Sequence, residues 1–301
     1  MIRLRFSAEL NYDVMSPGCD FIFNIHAAHT RYQRVLTEMM EVGQFLLPQV
    51  YTDPFSGNRY MRLRAEAGPL RLRYSATLEL RHHVEMADAI AEVPVSQLPT
   101  DVLVYLYPSR YCQSDRLYDV AMREFGLLPR GYARVRAICE WVRAHVQFKS
   151  ATSNASTSAM DTLRDRVGVC RDFAHLMIAL CRALNIPARF VTGIDYGADP
   201  ALGPSDFHAY VEVFLGNRWY LFDPSGTAIP MGLMRFGSGR DAADVSFATI
   251  FGAVGAHVPK IDIEAINDPV AGAVLPWRCT EALSTDDGVG LLVGARLVPL
   301  G

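Results

Sequence analysis

Three side chains, far apart along the chain, have settings that suit nucleophilic chemistry. Cys170 lies in Gly168-Val169-Cys170-Arg171-Asp172-Phe173-Ala174-His175, where a polar stretch turns into a strongly apolar, helix-forming run. His208 follows in Asp206-Phe207-His208-Ala209-Tyr210, and Asp223 in Tyr220-Leu221-Phe222-Asp223-Pro224. The thiolate is the attacking form of a cysteine, and both the positive end of a helix and a nearby imidazolium favour it. The first N–H groups of a helix have no partner within it, so they can also hold the oxyanion that forms when sulfur attacks a carbonyl. Cys170, His208 and Asp223 are therefore the candidate nucleophile, general base and orienting acid.

His175 is nearer to Cys170 in sequence but is not its partner. Five helical steps carry it roughly 140° round the axis from the thiol. It reads as a buried, hydrogen-bonded core histidine. His208 meets the requirement through strand geometry. Phe207 to Leu215 and Arg218 to Phe222 form a hairpin around the two-residue turn Gly216-Asn217. Leu215 then faces Arg218, and Asp223 lies opposite Tyr210. Tyr210 is two residues from His208, so His208 and Asp223 are diagonal neighbours on one face of the sheet. A one-residue slip would send them to opposite faces. Glu212 shares that face and is expected to be exposed.

Around these residues the chain divides by pattern. Residues 1–108 alternate polar and apolar in several runs, such as Arg3 to Leu10, Tyr60 to Ala65 and Leu70 to His82, which predicts an antiparallel β-sandwich-like domain. Residues 109–301 carry the site, with a boundary near Tyr107-Pro108-Ser109-Arg110. Helices are predicted from Ser114-Asp115 to Phe125, over 132–148, from a cap at Thr157 or Ser158 to Leu163, and from Cys170 to Leu184. Arg189 to Ile194, Val258 to Ile266 and Gly290 to Val298 read as strands, the last two as a C-terminal β extension of the core. Gly237-Ser238-Gly239-Arg240 reads as a loop, without the lysine of a phosphate-binding motif. The fold class is α+β.

Composition narrows the function. The 301 residues are 50% hydrophobic, enough for a large core, and the formal net charge is -3 with both signs interspersed. Nothing in that balance resembles a nucleic-acid footprint or a polybasic membrane patch. No apolar run is long enough to span a bilayer and no signal peptide is evident, so the expected location is the cytoplasm. The six cysteines form no CxxC pair and no zinc-like spacing, and no metal or other cofactor is implied. His82-His83 point to opposite faces of a strand, and His26 and His29 lack a neighbouring cluster. Cys181 lies three turns from Cys170, roughly 16 Å along the helix, too far for a disulfide.

The segments Thr157-Ser158-Ala159-Met160-Asp161-Thr162-Leu163, Gly168 to His175, Phe207 to Val213 and Arg218 to Pro224 together resemble the bacterial transglutaminase-like superfamily, whose members are often described as cysteine proteases. The preceding β region resembles the N-terminal domain of bacterial members. The resemblance implies a papain-like core, with the nucleophile helix packed on an antiparallel sheet. It matches Cys170 to the nucleophile, His208 to the base and Asp223 to the acid. Calcium dependence does not carry over, since no acidic EF-hand loop is present. No side chain matches the oxyanion hole, for which Gln147 and Tyr210 are the candidates.

The expected activity is cysteine-dependent acyl transfer on the amide of a peptide or protein, through a thioester. Hydrolysis, as in a protease or amidase, is favoured over transglutaminase cross-linking, because capture by an amine needs a shielded acceptor site that the sequence does not reveal. The alternative from another class is a non-catalytic peptide- or protein-binding module on the same fold.

Overall fold

The computed structural model describes residues 1–197 and 206–286. Its first half is built from seven strands: β1 (Ile2–Val14), β2 (Cys19–Phe23), β3 (Gln33–Val42), β4 (Gln49–Thr52), β5 (Arg59–Ala65), β6 (Gly68–Leu80) and β7 (His83–Glu85). Burial alternates along β1 and β5, as period-two patterning requires when one face of a sheet packs on a core. Strands β1, β6 and β3 form one antiparallel sheet, and β2, β5 and β4 form another. The two share a core that includes Leu4, Phe6, Phe21, Phe23, Leu63 and Tyr74.

The helical elements follow. Helix α1 is Tyr118–Phe125 and α2 is Tyr132–His145, after which Gln147–Phe148 leaves the helix as the short strand β8. Helix α3 (Ala159–Asp165) starts at Ser158, whose N–H and hydroxyl both donate to the Asp161 carboxylate. Strand β9 (Val167–Gly168) leads into helix α4 (Cys170–Ala183). Twelve of the fourteen residues of α4 are buried, which explains its nearly all-round apolar sequence. Helix α4 packs through Phe173, Ala174 and Met177 into a core shared with Ala209, Val211 and Phe222.

Those last residues belong to the second sheet system: β10 (Ala188–Asp195), β11 (His208–Leu215), β12 (Arg218–Phe222) and β13 (Leu233–Gly239), in the order β12-β11-β10-β13. The predicted hairpin register holds, with Leu215 opposite Arg218 and Val211 opposite Phe222. Gly216 and Asn217 both have positive φ, 53° and 65°, the backbone that a tight two-residue hairpin turn demands.

Three expectations need correction. Gly237-Ser238-Gly239 is not a loop but the end of β13. A side chain at Gly237 would strike the amides of Asn58 and Asn24, at 2.7 and 3.0 Å from its Cβ, so the glycine answers to a close approach and not to a turn. The C-terminal strands do not extend the core sheet. Strands β14 (Ala248–Phe251), β15 (Val254–Ala256) and β16 (Lys260–Ala265) pair with β2, β1 and β1 respectively, and so complete the N-terminal sheets, while β17 (Ala282–Ser284) pairs with β7. Glu212 is fully buried, not exposed. Its carboxylate lies between Arg189, at 2.6 Å, and Arg235. The expected strand Gly290 to Val298 lies outside the described residues.

Side-chain amides join β13 to the N-terminal half. Gln33 accepts from Arg235 N–H at 2.8 Å and donates to Arg235 O at 2.8 Å. Asn58 does the same with Ser238, both bonds measuring 2.9 Å. No helix among the described residues is long and apolar enough to cross a membrane.

The turn makes a direct prediction. Gly216→Val places a β-branched residue at positive φ and should destabilise the protein by about 1–3 kcal/mol, read from the denaturation midpoint at unchanged slope.

Candidate active site

Cys170 is the first residue of α4, and its setting is fixed by the turn before it. The Asp172 carboxylate folds back to accept the Val169 N–H at 2.9 Å and the Ser153 hydroxyl at 2.9 Å. Gly168 permits this, because a Cβ there would meet Asp172 Cβ at 2.7 Å. Arg171 reaches across to Ser153 and to Asn154 O, tying the 149–156 loop to the helix start. Asp172 and Arg171 thus hold the helix opening.

The thiol faces the sheet. Its Sγ lies 3.9 Å from Phe207 O, beside the His208 ring whose charge it favours. His208 is the first residue of β11, buried at 9% exposure. Its Nε2 lies 3.6 Å from Asp223 Oδ1, a charge pairing slightly longer than an ordinary hydrogen bond. Burial works against a charged ring, but Asp223 and Cys170 more than offset it, and the His208 pKa is held well above its usual value. Asp223 is held in turn. It accepts from Ser225 Oγ at 2.6 Å, Ser225 N at 3.1 Å and Ala228 N at 3.3 Å. Burial raises its pKa, yet His208 and these donors leave it below the usual carboxylate range.

The geometry brings the three predicted residues together and leaves His175 apart. His175 is fully buried, stacks on Tyr111 with ring centroids 5.0 Å apart, and accepts the Ala242 N–H at 3.2 Å. Burial keeps it neutral, with a pKa well below the usual one. Of the two oxyanion candidates, Tyr210 is buried with its ring edge-on to His208 at 4.6 Å, and Gln147 is exposed on β8. The first N–H groups of α4 stand at the helix start that carries the thiol.

Cys170 and His208 open into a cavity of about 650 Å³. Its apolar lining includes Tyr111, Phe148, Phe190, Phe207 and Phe247. Val258 and Pro259, from the connection between β15 and β16, form part of the wall, so strands that complete the N-terminal sheets also shape the site. The other thiols are set differently. Cys19, Cys112, Cys139 and Cys181 are buried, and burial pushes Cys112 and Cys139 up to about 12. One lining residue escaped the sequence reading. Asp195, at the end of β10, has Oδ2 3.8 Å from His208 Nδ1.

Comparison with known proteins agrees with this architecture. Residues 123–224 match the transglutaminase-like superfamily, and residues 2–101 match the bacterial transglutaminase N-terminal domain. A crystal structure from Cytophaga hutchinsonii, described as a "putative cysteine protease", is 36% identical, with a TM-score of 0.86 over 94% of this chain and 97% of that one. The chain belongs to the transglutaminase-like superfamily. Uncharacterised proteins of Mycobacterium leprae and Mycobacterium tuberculosis are 32% and 30% identical over 117 and 122 residues. Those matches span 37% of this chain and 42% and 39% of the relatives, so this superfamily member shares well under half the length of either.

The raised basicity of His208 has a signed consequence for stability. Its contribution is complete below the pKa of an unfolded histidine, near 6.5, and is lost as pH rises through the higher folded value. Melting temperature should therefore fall through the alkaline range, and His208→Gln should remove that part of the fall.

Proposed function

We propose that the protein is a cysteine-dependent acyl-transfer enzyme acting on peptide or protein amides, with hydrolysis as its main outcome. Cys170 is the nucleophile, His208 the general acid and base, and Asp223 the residue that orients the ring. The observation that carries this reading is that the Cys170 thiol, from a helix start, and the His208 imidazole, from the start of β11, meet at one cavity, with the Asp223 carboxylate from the residue after β12 against the ring.

The thiolate attacks the amide carbonyl carbon, and the carbonyl oxygen becomes an oxyanion facing the helix start. As the C–N bond breaks, the imidazolium gives its proton to the departing amine nitrogen. A thioester and a neutral imidazole remain. Water then attacks the thioester carbon and gives a proton to the ring, and the C–S bond breaks to return thiolate and imidazolium. Asp223 stays ionised throughout and stabilises each charged state of the ring. An amine that reached the thioester before water would give cross-linking from the same intermediate.

Fluorogenic peptide amides, with and without an added primary amine, test the reading. Hydrolytic turnover is expected, and Cys170→Ala should lower it by about 10⁴-fold or more. Iodoacetamide should label Cys170 faster than the buried thiols at neutral pH, and more slowly in His208→Ala. Turnover at the wild-type level in Cys170→Ala would overturn the assignment.

A further inference from the structure

We infer that Asp195 is a positioning residue that holds the His208 imidazolium from its Nδ1 side, opposite Asp223, so that the ring keeps its proton until the leaving amine takes it. The inference rests on the reading of Cys170 and His208 as nucleophile and base.

Strand pairing sets the arrangement. Gly193 lies opposite His208 across the β10–β11 ladder, and Asp195 is two residues beyond Gly193, hence on the same face. This is the diagonal relation that brings Asp223 to the ring from β12, repeated on the other neighbouring strand. The two carboxylates stand at opposite nitrogens, Asp223 at 3.6 Å from Nε2 and Asp195 at 3.8 Å from Nδ1.

Asp195 is 3% exposed and its Oδ1 has no hydrogen-bond partner; the Tyr210 hydroxyl is the side-chain group that helps hold its charge beside the ring. A buried carboxylate with so few donors is costly unless a cation stands by it. The imidazolium is that cation. Burial, reinforced by the charge of Asp223, pushes the Asp195 pKa up to about 6 against the pull of His208, so the group is mostly ionised at neutral pH. The other titratable groups facing this pair are Cys170 from α4, Tyr210 from β11, Asp223 after β12, Asp206 ahead of β11, and Arg278 from the C-terminal segment.

The chemistry follows from the side of the ring that is occupied. Nε2 faces Asp223 at 3.6 Å, so on this reading the proton bound for the leaving nitrogen departs from Nδ1. An anion beside Nδ1 stabilises the protonated ring there. Asp195 therefore moves the titration of the ring toward higher pH.

The test is the pH profile of Cys170 alkylation by iodoacetamide, read by peptide mass spectrometry on the full-length chain. The wild type is expected to show two inflections, one for the thiol and a higher one for the ring. Asp195→Asn should move the upper one to lower pH by about one unit or more. Asp195→Glu, which keeps the charge, should stay closer to wild type. If Asp195→Asn does not fold, Asp195→Ser carries the same expected shift, since it removes the charge and admits water. A purely structural role would change the amplitude and the melting temperature and leave the upper inflection in place. An unmoved upper inflection in both neutral variants, with that inflection still erased by His208→Ala, would overturn the inference and spare the base assignment. An unchanged profile in His208→Ala would overturn the base assignment, and the inference with it.

Discussion

The register of β11 between its two neighbours is the constraint on which the site depends. Side chains alternate strictly across a strand, so a shift of one residue against either partner would reverse which groups face His208. The Gly216-Asn217 turn fixes one side, because positive φ at two adjacent residues fits a tight hairpin and little else. The β10 ladder, with Ala188 opposite Val213 and Gly193 opposite His208, fixes the other. The opposite face of the same strand carries Ala209, Val211 and Val213 into the core beneath α4. One strand thus both packs against α4 and presents the His208 imidazole.

The helix start is held with similar economy. Asp172 satisfies a backbone N–H that the helix cannot, and its second oxygen engages the loop through Ser153. The thiol is placed by a capping carboxylate, a glycine that makes room for it and an arginine that ties down the loop. These contacts are local in sequence. The meeting of the thiol with the imidazole is not, and it depends on how α4 lies across the sheet.

What could be read from the chain follows this division between local and distant. The hairpin was legible because its turn is two residues long and its strands alternate, so the relation of His208 to Asp223 could be worked out by counting. The start of α4 at Cys170 was legible because a polar stretch gives way there to an apolar, helix-forming run. Asp195 was not, because twelve residues separate the end of β10 from the start of β11, too many for counting to set their pairing. Glu212 was misjudged because its partners Arg189 and Arg235 sit on two other strands. The glycines of β13 resemble turn residues until the side chains packed against them, Asn58 and Asn24 at Gly237 and Asp244 at Gly239, are seen. The pairing of β16 with β1 joins opposite ends of the chain, and alternation within each strand says nothing about which partner it will find.

The amide contacts to β13 bear on how the protein behaves among other chains. β13 is the last strand of its sheet, and a bare outer edge of unsatisfied N–H and C=O groups invites pairing with a stranger. Here Gln33 and Asn58 occupy that edge with the spacing of a backbone, and Ala28 N–H adds a main-chain bond to Arg235 O at 2.9 Å. The N-terminal half therefore covers the edge of the sheet that carries His208. A fragment lacking it would expose a ready template for aggregation.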